Sequence, residues 1–137
     1  MVVILPSPNA AQPERMKSTQ PMRVHGIANC DTVKRARTWL GGRAVAYDWI
    51  DFRKHPPSVE QIRRWAATVG WATLLNRRGT TWRSLDDAQR AVVRDEASAI
   101  ALMHARPTLI RRPVIETGND VVVGFDEPEY AQRFAAR

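Results

Sequence analysis

The chain has 137 residues, 44% of them hydrophobic, which suits one compact core and excludes two, since domains usually contain about 100–150 residues. Its net charge of +7 comes from basic residues interspersed with acids along the whole chain, so we expect no direct nucleic-acid binding and favour a small anionic substrate. One cysteine and three scattered histidines exclude an intramolecular disulfide and predict no metal site.

Residues 1–21 contain four prolines among polar residues and no sustained apolar period, which predicts a disordered N-terminal arm. The apolar run from Val2 to Leu5 ends at Pro6 and is too short for a signal peptide or a membrane span. Together with the lone cysteine, this predicts a soluble, cytoplasmic protein that does not bind membranes. We expect a monomer whose ordered domain covers residues 22–137.

Two strands and a helix between them are predicted at the start of this domain. Residues 22–27 alternate apolar and polar side chains, as strands do, and residues 44–52 do so again. Residues 31–42 have apolar side chains at helical spacing, acceptors at the start and two glycines at the end. Because strand–helix–strand units have a right-handed crossover, the two strands should be parallel neighbours.

Helices are predicted through the middle of the chain. A helix over residues 58–70 begins with a capping box, in which Ser58 and a glutamine three places later cap each other's backbone. A second capping box is predicted at Ser84 and Asp87. Residues 85–105 then form two short helices, so the middle of the chain is a helical insertion.

The last third predicts a β-hairpin and a helix. Residues 112–116 and 121–125 have strand patterns and flank the turn-forming residues 117–120, and a capped helix follows over 126–134. The summed order predicts an α/β domain with a four-stranded mixed sheet, which is the order of a thioredoxin-like fold.

Cys30 is the residue most suited to chemistry, because it lies in the loop before the first predicted helix. Backbone N–H groups and the helix dipole stabilise a thiolate there, and Lys34 adds positive charge. The alternative is that Cys30 is a small buried apolar residue, as most free cysteines are. Asp31 would raise the pKa of the thiol unless its carboxylate caps the helix. The polar neighbours favour the reactive interpretation.

Two basic segments are candidates for binding an anion. Arg112 precedes Pro113 at the end of the sheet near the cysteine loop, where it could hold an anion by a bidentate contact, although a solvated surface arginine is an equal alternative on spacing alone. Residues 76–83 form a polar loop rich in donors. This loop either binds an anion or is a structural turn anchored by Trp82.

Three segments in this order, residues 26–36, 75–83 and 107–114, resemble the ArsC family of arsenate reductases, and most closely its YffB-like branch. The resemblance runs from about residue 22 to residue 134. It implies a thioredoxin-like fold with a helical insertion and an enzyme of the oxidoreductase class.

The resemblance also implies roles for individual residues. Cys30 would be the nucleophile, Arg112 would bind an oxyanion, and Pro113 would be a cis-proline opposite the cysteine. The candidates for binding substrate or glutathione are Asn29, Thr32, Lys34, Arg77, Arg78 and Pro113.

The sequence departs from the arsenate reductases at two of their three oxyanion-binding arginines. Asn76 stands where an arginine follows a pair of leucines, with Arg77 and Arg78 displaced by one and two places, and Gly124 and Phe125 stand where the third arginine is found. The resemblance therefore favours glutathione-dependent thiol reduction over arsenate reduction. Glutathione would be a co-substrate rather than a bound cofactor, and glutaredoxin would resolve the mixed disulfide.

A second interpretation comes from the Spx-like regulators, which share this fold and bind RNA polymerase. Their redox-sensing members have a second cysteine three residues after the first, whereas this chain has Val33 there. A disulfide switch is thus excluded, but RNA polymerase binding without redox sensing stays open as the alternative.

Overall fold

The computed structural model describes residues 21–134 of the protein. Its strands are β1 (Arg23–Gly26), β2 (Asp48–Asp51), β3 (Val114–Thr117) and β4 (Asp120–Val123). Its helices are α1 (Asp31–Gly42), α2 (Val59–Val69), α3 (Trp71–Leu74), α4 (Thr80–Ser84), α5 (Asp87–Ala91), α6 (Glu96–Ala105) and α7 (Glu127–Phe134). A 3-10 turn, Pro107–Leu109, joins α6 to the approach to β3. The predicted N-terminal arm lies outside the described residues except for Pro21.

The four strands form one mixed sheet in the order β2-β1-β3-β4. Strands β1 and β2 are parallel, whereas β3 is antiparallel to both β1 and β4. Val24 is in register with Trp49 on one side and Ile115 on the other. The predicted four-stranded α/β architecture with a thioredoxin-like order is confirmed.

The sheet separates two apolar layers because successive strand residues point to opposite faces. On one face Val24 and Ile115 belong to a cluster with Leu40 of α1 and Phe134 of α7. On the other face Val114 belongs to a larger cluster with the helices of the insertion. Helix α1 therefore lies across the sheet from α2 and α6.

The first two helices form where the sequence predicts them. In α1, Val33, Ala36 and Leu40 recur at helical spacing, and all three are buried. At the start of α2 the Ser58 hydroxyl accepts from the backbone of Gln61, whose side chain accepts from the Ser58 backbone. The predicted capping box is thus present.

The second predicted capping box is wrong in its position. Ser84 ends α4, and its hydroxyl donates to the Thr81 carbonyl oxygen, so it is not free to begin a helix. The box instead pairs Asp86 with Gln89 at the start of α5. The buried Leu85 separates the two short helices.

Strand β2 is shorter than the predicted residues 44–52. Ala44 has a φ of +57°, in the left-handed region, because it lies where the chain turns after α1. The strand pairs only from Asp48 onward, where its backbone meets β1. Arg112 was predicted as the first residue of β3 but lies before that strand, which begins at Val114.

None of the helices within residues 21–134 has the length and apolar character needed to span a lipid bilayer.

Candidate active site

Cys30 occupies the N-cap position of α1, at the end of the loop that leaves β1. Its extended backbone directs the chain into the helix, and its carbonyl oxygen accepts from the Lys34 N–H at 2.9 Å. The side chain is partly exposed. Cys30 is therefore accessible at a helix N-terminus and is not one of the buried core residues.

The surroundings of Cys30 hold the pKa of its thiol below the ordinary value. Partial burial by itself raises the pKa, but three groups outweigh it. The backbone N–H groups of Val33 and Thr32 at the start of α1 and the positive guanidinium of Arg112 stabilise negative charge on the sulfur. These contacts favour the thiolate, the form of cysteine that attacks disulfides.

Arg112 lines the same cleft as Cys30, from the segment before β3. Its Nη1 donates to the carbonyl oxygen of Thr108 at 2.6 Å and more weakly to that of Ile110 at 3.3 Å. Its Nε is buried and has no hydrogen-bond partner among residues 21–134. The peptide bond to Pro113 is cis, as the family resemblance implies. Backbone contacts therefore fix the guanidinium beside Cys30.

A backbone bridge brings the middle of the chain to the same place. Leu75 and Ile110 pair as an isolated antiparallel bridge. On either side of it the Asn76 N–H donates to the Leu109 carbonyl and the Arg111 N–H donates to the Leu74 carbonyl, each at 2.8 Å. The bridge places Asn76 next to the arginines that precede β3.

These elements enclose a cleft of about 260 Å³ around the sulfur. Its lining residues are Cys30, Thr32, Arg35, Asn76, Arg111, Arg112, Gly124 and Phe125. Three of them are arginines, and none of the carboxylates within residues 21–134 is among them. An anionic ligand that contacts the sulfur is therefore favoured here by charge.

The cleft contains some of the sequence-predicted site residues but not others. Thr32 and Arg112 line it with Cys30, while Lys34 lines an adjoining hollow. Asn29 lies exposed in the preceding loop. Pro113 is buried, and its carbonyl oxygen accepts from the Gly124 N–H, so it positions the neighbouring strand end.

Arg77 and Arg78 do not line the cleft. The Arg77 guanidinium lies between the rings of Trp71 and Trp82, at 5.7 and 5.6 Å from their centroids. The Arg78 N–H donates to the Asn76 side chain, and its carbonyl accepts from Arg83. This loop therefore fits the structural-turn interpretation, in which half-buried Trp82 packs against the core. Ligand binding by the two arginines stays a prediction.

Arg35 and Arg111 are lining residues that the sequence reasoning did not single out. Arg35 follows Thr32 by three residues and so lies on the same face of α1. This helical spacing could have predicted that Arg35 lines the cleft. Arg111 is held by its Nε, which donates to the Thr73 carbonyl at 2.8 Å across 38 residues of sequence. No local pattern indicates that contact.

Gly124 follows β4 and lies beside Arg111. It is buried and has a φ of +77°, in the region that favours glycine. A Cβ atom there would lie 3.4 Å from Arg111 Cδ.

Within residues 21–134 no group of three or more His, Cys, Asp or Glu side chains is arranged to hold a metal ion.

The sequence model of the ArsC family matches residues 25–133. The chain belongs to the ArsC family. The match includes Cys30, Arg112 and the whole helical insertion.

Relatives of similar length support the same ArsC membership. An uncharacterized protein of Haemophilus influenzae is 37% identical over 112 residues, which are 82% of this chain and 97% of that protein. The solved structure of a protein named YFFB is 50% identical, with a TM-score of 0.77 over 81% of this chain and 96% of that one.

Two further ArsC-type structures extend the likeness. An arsenate reductase related protein from Brucella melitensis is 40% identical, with a TM-score of 0.67, and covers 85% of this chain and 96% of that one. An arsenate reductase from Vibrio cholerae is 16% identical, with a TM-score of 0.65, and covers 82% of this chain and 93% of that one. The last shows that the fold is shared. The chain is thus an ArsC-family, arsenate reductase-like protein.

Proposed function

We propose that this ArsC-family protein is a glutathione-dependent thiol oxidoreductase that acts through Cys30 as its nucleophile. The observation that carries the proposal is that partly exposed Cys30 and Arg112 line one cleft at the N-terminus of α1, with no carboxylate of residues 21–134 among the lining residues. This arrangement favours a thiolate and attracts an anionic thiol compound.

The reaction requires two thiol–disulfide exchanges. In the first, the Cys30 thiolate attacks the glutathione sulfur of a mixed disulfide, and the substrate leaves as a thiolate that takes a proton from water. In the second, a glutathione thiolate attacks the adduct on Cys30, which forms glutathione disulfide and restores the Cys30 thiolate. The net change is one substrate thiol and one glutathione disulfide from the mixed disulfide and one glutathione.

A second molecule of glutathione is needed because Cys30 is the only cysteine of the chain. The position three residues later is Val33, which is buried. Glutaredoxin is the expected protein partner where free glutathione resolves the adduct slowly. Glutathione carries two carboxylates, and Arg111 and Arg112 line the cleft with donors for them.

The test is the intact mass of the protein after mild oxidation with glutathione disulfide at pH 7. We expect one glutathione on the wild type, none on Cys30→Ser, and removal of the adduct by glutathione or glutaredoxin. A parallel sample with arsenate, glutathione and glutaredoxin, assayed for arsenite, separates thiol reduction from arsenate reduction.

Absence of an adduct would contradict the proposed chemistry. RNA polymerase binding would then be the leading interpretation, with pull-down of purified polymerase by the untreated protein as its own test. Formation of arsenite dependent on Cys30 would keep the nucleophile and replace the substrate.

A further inference from the structure

A second hollow of about 440 Å³ adjoins the Cys30 cleft along α1. We call it the α1 hollow and define it by Lys34, Arg35, Trp39, Arg43, Phe125 and Glu127, with Thr38 at its edge. Arg35 and Phe125 line both the cleft and the hollow. The two spaces are therefore neighbours, and a molecule bound at Cys30 can extend from one into the other.

The α1 hollow is basic. Lys34, Arg35 and Arg43 are exposed, and no carboxylate within residues 21–134 forms an ion pair with any of them. Glu127 is the one acidic residue among those that line the hollow. Three basic side chains against one carboxylate leave the hollow with a net positive charge.

The hollow also offers aromatic surface. The buried Trp39 and the half-buried Phe125 belong to the apolar layer beneath it. The Arg43 guanidinium lies over the Trp39 ring, 4.1 Å from its centroid. Because a stacked guanidinium keeps its in-plane N–H groups available, Arg43 can still donate to a carboxylate. Basic groups beside aromatic surface suit an acidic polypeptide segment.

We infer that the α1 hollow binds an acidic polypeptide segment that flanks the glutathionylated cysteine of a protein substrate. The inference rests on the proposed function, because it assigns the two sides of one mixed disulfide to the two spaces. Glutathione occupies the cleft beside Arg111 and Arg112, where its sulfur is attacked by the Cys30 thiolate. The substrate sulfur is the leaving group, and the chain that carries it lies across Arg35 and Arg43.

The test uses two heptapeptides that differ only in charge, Gly-Glu-Glu-Cys-Glu-Glu-Gly and its glutamine counterpart, each carrying glutathione on the cysteine. Release of the peptide thiol is measured in a single turnover, and each rate is divided by that of the same peptide with free glutathione. This division corrects for the difference in leaving-group ability, because the thiol of the acidic peptide leaves more slowly. We expect the acidic peptide to react about fivefold faster at low ionic strength, the factor that a well-placed exposed ion pair supplies.

Three variants locate the origin of this preference. Arg43→Gln and Arg35→Gln should bring the ratio of acidic to neutral peptide close to one. Arg63→Gln is the matched control, because it removes the same charge from α2 on the other side of the sheet, and it should keep the ratio. Added salt at about 0.5 M should reduce the wild-type ratio, since it screens exposed charges.

The outcomes separate this inference from the proposed function. Equal normalised rates for the two peptides, or a preference that both Arg35→Gln and Arg43→Gln retain, would overturn the acidic-segment inference. Equal loss in Arg63→Gln would also overturn it, because the effect would then be one of overall charge. The mixed disulfide of glutathione and 2-mercaptoethanol reports on Cys30 chemistry alone. If the peptide test fails but Cys30 still reacts with that compound, only the acidic-segment inference is overturned. If Cys30 reacts with no mixed disulfide, the proposed function is overturned as well.

Discussion

The reactivity of Cys30 depends on a few directed contacts. Burial of a thiol by itself favours the neutral form, so the backbone donors of α1 and the Arg112 guanidinium must exceed that effect to lower the pKa. Arg112 can do this because the carbonyl oxygens of Thr108 and Ile110 hold it in place. Asp31, which would oppose the thiolate, is exposed and absent from the cleft lining.

Replacement of Arg112 tests its effect on the sulfur. The rate of alkylation of wild-type Cys30 against pH should have its midpoint below the free-thiol pKa of about 8.5. In Arg112→Gln the midpoint should move upward, because the variant loses the positive charge. A wild-type midpoint at or above the free-thiol value would contradict the activated thiolate.

The same variant should also lose some stability. Arg112 donates to two backbone carbonyls, and each such hydrogen bond contributes about 1 kcal/mol. A fall of about 1–2 kcal/mol in the free energy of unfolding, measured with urea, is therefore expected. Arg112→Lys separates the two effects because it keeps the positive charge. It should retain much of the lowered pKa of Cys30 while losing part of the stability that the two hydrogen bonds provide.

At the scale of elements, the short helix α5 depends on its cap. An isolated helix as short as α5 is unstable in water, so its first turn must be satisfied by side chains and by packing. Asp86 and Gln89 provide this reciprocal cap, while Arg90 donates to the Leu85 carbonyl in the preceding turn. The start of α5 is thus organised by local polar contacts beside the buried Leu85.

Two alanine variants test this assignment. Asp86→Ala should lower the free energy of unfolding by about 1 kcal/mol, because it removes the acceptor for the Gln89 N–H. Ser84→Ala should have a smaller effect, since its hydroxyl donates only to the exposed Thr81 carbonyl. Urea unfolding of both variants decides between them. A larger loss in Ser84→Ala would favour the cap that the sequence pattern predicted.

At the scale of the whole molecule, the sequence predicted what depends on neighbours in the chain. The alternation of apolar and polar side chains predicted the strands, and the hydrogen-bond acceptor of Ser58 predicted the start of α2. Both signals act within a few residues of the chain. The position of Cys30 before α1 could be predicted for the same reason. The cleft could be predicted only in part, since Asn76 and Arg111 reach it through a bridge between segments about 35 residues apart.

Arg77 shows that a local sequence signal can also predict a contact that the structure does not have. Its sequence neighbourhood is rich in donors, which indicates an anion site, but the guanidinium is held between two tryptophans. Which arginine faces the cleft depends on the packing of the loop and not on the spacing of basic residues. Charge patterns therefore predicted the kind of site and its nucleophile, but not all of its lining.

A buried polar cluster joins β1, β3 and α2 and links the stability of the whole molecule to pH. His25 Nε2 donates to Glu116 at 2.8 Å, and Trp65 Nε1 donates to its second carboxylate oxygen at 2.6 Å. Burial raises the pKa of the Glu116 carboxyl, but these donors and the charges of His25 and Arg23 outweigh it and hold the pKa below its usual value. The folded state therefore favours the ionised carboxylate.

The sign of the pH dependence follows from this lowered pKa. The contribution of Glu116 is fully present above the unfolded-state pKa of about 4.3 and is lost as the pH falls through the lower folded-state pKa. At pH 7, Glu116→Gln should lower the free energy of unfolding by about 1–3 kcal/mol, because a charged acceptor between two donors is lost. Below pH 4 its stability should approach that of the wild type, as measured by urea unfolding at stepped pH. Glu60→Gln, in an exposed pair with Arg63, is the control and should change stability by less than about 1 kcal/mol. A constant difference between wild type and Glu116→Gln from pH 7 to pH 3 would mean that Glu116 acts through packing rather than through its charge.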